Sequence, residues 1–131
     1  MNSPKLYSCV LVDDDRTSLS LLKNYINQIP KLKMLGSFDS AAEAITYVRN
    51  ADDEIDFLFL DIVMDISGID VAQILRDKVK YIIFITGYDG FALKAFNVGG
   101  DQYLTKPVQF SKFLETINQV LRRNNVQVNR K

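Results

Sequence analysis

Ile55-Asp56-Phe57-Leu58-Phe59-Leu60-Asp61 is an apolar run broken only by Asp56 and ended by a carboxylate. Its length and its aromatic and branched side chains read as a buried strand. Similar runs lie on either side. Leu6 to Val12 is short, apolar and rich in β-formers, and Asp13-Asp14-Asp15 follows it. Lys33 to Phe38 is less apolar and reads as a strand nearer an edge. Tyr81 to Ile85 and Asp101 to Thr105 complete five strands, with Thr86 after the fourth and Lys106-Pro107 after the fifth.

Helical spacing fills the gaps. Leu19, Leu22, Ile26 and Ile29 form one stripe in Arg16 to Ile29, which Pro30 stops. Ser40-Ala41-Ala42-Glu43 is a capping box that opens a helix to about Asn50. Ser67-Gly68 starts a third helix, with Val71, Ile74 and Leu75 expected inward. Tyr88 to Val98 is a fourth, ended by Gly99-Gly100. Phe110 to Arg123 is the last. Strands alternating with helices across short connections predict a parallel sheet covered on both faces, a doubly wound α/β fold. Ligands in such sheets bind at the carboxyl ends of the strands. Asp13, Asp14, Asp61, Thr86 and Lys106 are all expected at that edge.

The bulk composition narrows the chemistry. The 131 residues suit one domain, with residues 1–123 as its body and 124–131 as a polar tail or the start of a linker. Sixteen basic residues balance sixteen acidic ones, so the domain itself lacks the cationic excess expected of a nucleic-acid binder. The chain has no histidine, which removes Ser-His and Cys-His catalysis and disfavours a zinc site. Cys9 stands alone and reads as a small buried hydrophobe, in keeping with a cytoplasmic protein. No apolar stretch approaches a membrane span, and the N-terminus lacks a signal-peptide core.

Carboxylates gathered at one edge repel each other unless a cation joins them. Mg2+ is the expected cation, because it prefers oxygen ligands. Lys106 would meet phosphoryl oxygens with a fixed positive charge, and Thr86 would add a hydroxyl donor. Positioning and charge neutralisation are the main work of phosphoryl transfer. Asp61, ending the central apolar strand, is the expected nucleophile. Each piece alone has an ordinary explanation. Asp15 is expected to cap the first helix. A lysine in a loop or a threonine at a strand end is usually structural. Their order, each at a strand end, favours a site.

These residues, in this order, resemble the receiver domain of two-component response regulators, over Leu6 to about Arg123. The resemblance implies a flavodoxin-like sheet of order 2-1-3-4-5 with five helices. It implies that Asp14 binds Mg2+ directly and Asp13 through water, with Asp61 as phosphoacceptor and the backbone carbonyl of Val63 as a further metal ligand. Thr86 matches the family's hydroxyl residue, Gly87 the small residue after it, and Lys106 its lysine, with a cis Lys106-Pro107 peptide. Tyr103 matches the switch aromatic, expected to turn inward as Thr86 moves toward the phosphoryl group. The implied partner is a sensor histidine kinase, with homodimerisation possible through the face of the fourth helix, fifth strand and fifth helix. The stretch Ile85 to Phe96 is similar to receivers that precede a LytTR-type DNA-binding domain. DNA would then be reached through that second domain, with no membrane partner implied.

The sequence departs from the family at one loop. Receivers usually read Asp-x-x-Met-Pro, with a glycine eight positions after the aspartate. Here Asp61-Ile62-Val63-Met64 runs into Asp65, and Gly68 comes seven positions on. That leaves a pseudo-receiver acting only as a docking module as one alternative. A phosphatase of the haloacid dehalogenase type is another, since Asp13-x-Asp15 and Thr17 resemble its nucleophile motif. That class needs an acidic pair after its lysine, and only Glu115 follows Lys106.

Overall fold

Tyr7–Val12 (β1), Leu32–Phe38 (β2), Ile55–Leu60 (β3), Val79–Thr86 (β4) and Gln102–Thr105 (β5) form one parallel sheet. Its order is β2-β1-β3-β4-β5, which puts the less apolar β2 at an edge, as expected. The computed structural model describes residues 5–87, 90, 94–95 and 99–129, with side chains as far as Asn124. The predicted fourth helix, Tyr88 to Val98, falls largely outside the described residues, and Phe91 and Phe96 with it.

Alternation along each strand divides the core in two. Cys9, Leu11, Phe57, Phe59, Ile83 and Ile85 face α1 (Arg16–Asn27) and the C-terminal helix (Phe110–Asn129). Val10, Val12, Leu58, Leu60, Ile82 and Phe84 face α2 (Ala41–Arg49) and α3 (Gly68–Leu75). The predicted caps form. Asp15 accepts from the Thr17 amide at 3.0 Å, and the Ser40 hydroxyl accepts from the Glu43 amide at 3.3 Å. Gly99 takes φ +86°, and the Gly100 amide donates to the Ala95 carbonyl at 2.8 Å.

Three helix expectations are corrected. Ile74 is 46% exposed, while Val71, Ala72 and Leu75 are buried. At about 100° per residue, Ile74 stands on the far flank of the arc that those three define. α1 stops at Asn27, two residues before the predicted end, although Ile29 stays buried. The C-terminal helix runs to Asn129, beyond the predicted stop at Arg123. Among the described residues no helix is long and apolar enough to cross a membrane.

Asp56, the polar break in β3, is explained by a partner 48 residues away. Its carboxylate accepts from the Ser8 amide at 2.9 Å, and its own amide donates to the Ser8 hydroxyl at 3.0 Å. Cys9 is wholly buried beside it. Burial, with the Asp56 charge, pushes the thiol up to about 12. Iodoacetamide is therefore expected to leave Cys9 unmodified in folded protein at mildly alkaline pH and to label it in urea. Labelling of folded protein at the rate of a free thiol would contradict this packing.

Candidate functional site

The sheet ladder continues one residue past three strand ends, and those residues carry the site. The Asp13 amide donates to the Phe38 carbonyl at 3.0 Å, and the Asp61 amide donates to the Val12 carbonyl at 3.0 Å. The Lys106 amide donates to the Thr86 carbonyl at 2.8 Å. Backbone pairing therefore fixes two carboxylates and an ammonium at the same sheet edge before any side-chain contact is made.

Each of these carboxylates has one oxygen tied down. Asp13 Oδ1 accepts from the Asp15 amide at 2.9 Å, and Asp61 Oδ1 from the Ile62 amide at 2.8 Å. The Oδ2 atoms turn toward Lys106. Its Nζ lies 2.8 Å from Asp13 Oδ2 and 3.5 Å from Asp61 Oδ2. The closer contact pairs the charges of Lys106 and Asp13, whose Oδ2 is buried and meets no other donor among the described residues. Asp13 is only 1% exposed, and burial raises its carboxyl above the usual range despite Lys106. Burial draws the Lys106 ammonium down, but Asp13 and Asp61 more than offset this and its affinity for its proton rises.

Asp14 is exposed at the rim. Asp13, Asp14 and Asp61 each offer an oxygen within 4.8 Å of the others, forming an all-oxygen group suited to a hard divalent cation. Asp13 Oδ2 already meets Lys106 Nζ at 2.8 Å, so the fit to a cation rests on the all-oxygen donor set. Asp65, a further charge on the adjacent loop, lies outside that group and accepts from the Ile66 amide at 2.9 Å. Asp15 is likewise committed to its cap, holding the Thr17 amide and the Ser18 hydroxyl.

Thr86 is 0% exposed, and its hydroxyl has no hydrogen-bond partner among the described residues. A buried hydroxyl in that state costs about 1–3 kcal/mol. Thr86→Val keeps the β-branched shape and is expected to stabilise the unphosphorylated domain by about 1 kcal/mol in urea unfolding. A loss of stability would show that the hydroxyl has a partner. Tyr103, on β5, is half-buried against the α2/α3 core layer. The Lys106-Pro107 peptide is cis, as expected.

The shortened loop closes over Asp61. The Gly68 amide donates to the Ile62 carbonyl at 2.8 Å, and the Met64 amide donates to the same oxygen at 3.1 Å. Val63, in the same loop, has an exposed side chain. One contribution was not legible in the sequence. The Tyr25 hydroxyl on α1 donates to the Val108 carbonyl at 2.8 Å, two residues beyond Lys106. Nothing in the α1 stripe signals a bond across 83 residues.

Residues 9–118 match the family described as the response regulator receiver domain, and the chain belongs to that family. It is 36% identical over 113 residues to the sensory transduction protein LytT of Enterococcus faecalis, covering 84% of this chain and 46% of that protein. It is 32% identical over 116 residues to the transcriptional regulatory protein NatR of Bacillus subtilis, covering 86% and 49%. The chain thus spans about half the length of these relatives. A CheY-like receiver domain protein from Methanospirillum hungatei superposes with a TM-score of 0.80 at 22% identity, over 94% of this chain and 99% of that one. The resemblance read from the sequence holds. Receiver domains are signalling domains rather than classical enzymes, and the phosphatase reading has no support.

Proposed function

We propose that Asp61 accepts a phosphoryl group from a phosphohistidine of a sensor histidine kinase. The observation that carries this is the placement of Asp61 Oδ2. Its sister oxygen is held by the Ile62 amide, while Oδ2 faces Lys106 and the other carboxylates. Oδ2 attacks phosphorus, the phosphorus–nitrogen bond breaks, and the imidazole nitrogen leaves with the bond's electron pair. Lys106 holds the phosphoryl oxygens. Asp13, Asp14 and Asp61, with the Val63 carbonyl, would hold Mg2+. When bound, that ion offsets the repulsion between these carboxylates and the incoming group.

The product carries about −1.5 to −2 charges, by analogy with phosphorylated hydroxyl residues. The Thr86 hydroxyl, without a partner among the described residues, would donate to a phosphoryl oxygen, and Tyr103 would turn inward as Thr86 moves. This biases an existing equilibrium at the face of the predicted fourth helix, β5 and the C-terminal helix, a candidate homodimer surface. In this reading residues 1–123 are the receiver and residues from 124 on lead toward an output domain. The output is then a DNA-binding transcription regulator in the cytoplasm, a reading that the name of NatR, a transcriptional regulatory protein, supports as far as transcription.

The test is incubation with acetyl phosphate and Mg2+ or with EDTA, followed by intact mass. A phosphoryl adduct with Mg2+ and none with EDTA is expected. Folded protein without adduct in either condition would favour the docking-module reading.

A further inference from the structure

At the opposite end of the sheet from Asp61 lies a groove of about 690 Å³. It exists because α2 is only nine residues long and ends at Arg49. Arg49 turns aside to Asp77 at 2.6 Å, and the described residues leave the sheet face below the helix open as this groove. Leu6, Ser8, Lys33 and Asp56 form the floor. The β1/β2 register skips Leu35, pairing Cys9 with Met34 and Val10 with Gly36. The skipped leucine stands exposed on the edge strand. Tyr47 from α2 is exposed beside it, its ring 5.3 Å from Phe38. Leu6, 53% exposed, completes three large apolar side chains around one concavity.

The rim is acidic. Asp52, Asp53 and Glu54 are all exposed along one side. They do not converge on a point as Asp13, Asp14 and Asp61 do, so a bound cation is not the fit. Asp56 is committed to Ser8, and Lys33 is the only cation among the described lining residues. Spread negative charge beside exposed apolar side chains complements a protein segment with an apolar side chain flanked by lysines or arginines.

We propose that this groove docks a cationic, apolar-anchored segment of a partner protein. Asp56 is the second residue of β3 and Asp61 follows its end, so about 16 Å of strand separates groove from phosphoacceptor. Docking here is independent of phosphorylation.

The test is a heteronuclear NMR titration of the 15N-labelled chain. The probes are short capped peptides with Lys or Arg flanking Leu, Ile, Phe or Tyr, beside counterparts with Glu for each cation. Saturable shifts are expected at Leu6, Leu35 and Tyr47, with cationic peptides binding about tenfold or more tighter than Glu counterparts. Asp53→Lys with Glu54→Lys should weaken binding about tenfold, as should Leu35→Ser, while Asp61→Asn leaves it unchanged. These substitutions at the groove lie on the surface, and unaltered spectra away from it will show that they fold. No shifts with any peptide, or shifts confined to Asp13 and Asp14, would overturn the proposal. So would a dimer in sedimentation equilibrium that Leu35→Ser abolishes, since the occupant would then be a second copy.

Discussion

Asp61→Asn is expected to abolish the Mg2+-dependent phosphoryl adduct in intact-mass measurement while leaving the fold in place. The amide is a poor nucleophile, and Asp13, the other inward carboxylate, has one oxygen on the Asp15 amide and the other against Lys106. The substituted side chain retains an oxygen that can accept from the Ile62 amide, so the loop keeps its anchor. Stability should respond in two opposite ways. Without metal, the variant removes one of three mutually repelling carboxylates but also one partner of Lys106. The net change is expected to be neutral or stabilising, on the order of 1 kcal/mol at the effective dielectric of such sites. With Mg2+ the wild type should gain stability, about 2.7 kcal/mol at a hundredfold excess over Kd. The variant should gain far less. Urea melts in EDTA and in Mg2+ separate these effects. An adduct that persists in Asp61→Asn would place the phosphoacceptor elsewhere. Equal Mg2+ stabilisation of both proteins would remove Asp61 from the metal site.

The alternation of apolar runs with helical stripes carries most of this fold, because parallel strands with right-handed crossovers admit few arrangements. Asp13, Asp61 and Lys106 were legible for a related reason. Each immediately follows a buried run, and the ladder itself fixes such a residue at the sheet edge. What the sequence hides depends on distant partners or on energetics that leave no pattern. Asp56 looks like a flaw in β3 until Ser8 is placed beside it. Tyr25 looks like one more aromatic until its hydroxyl meets Val108. β4 begins at Val79 rather than Tyr81, because exposed Lys80 interrupts the apolar signal without interrupting the strand. The C-terminal helix outlasts its apolar stripe because extending a formed helix avoids the cost of nucleation. The groove below α2 is likewise invisible, since it comes from where a helix stops and not from any motif.

Gly68→Ala is expected to be among the most damaging single-methyl additions this domain can receive. A Cβ at Gly68 would lie 2.0 Å from the Asp61 carbonyl oxygen and 2.8 Å from the Asp61 carbonyl carbon and the Ile62 Cα. All three are backbone atoms, so no flexible side chain can swing away. Relief requires the loop to lift, which strains or breaks the bond from the Gly68 amide to Ile62. Overpacking of a fixed site typically costs about 1–3 kcal/mol, and this contact should cost about 3 kcal/mol or more. The shift would also carry the Asp61 carbonyl with it, so the folded fraction should phosphorylate more slowly than wild type. Here the missing proline has its structural answer: the loop is one residue shorter, and a residue without a side chain lets it close directly on the end of β3. Gly87→Ala is the control. Among the described residues no heavy atom beyond its chain neighbours lies within 4 Å of a Cβ there, and its φ is not positive. Its stability should stay within about 0.5 kcal/mol of wild type. Urea unfolding of the two variants side by side checks the contrast. Comparable stability for both would mean that Gly68 does not press on Asp61, and that the shortened loop closes by another path.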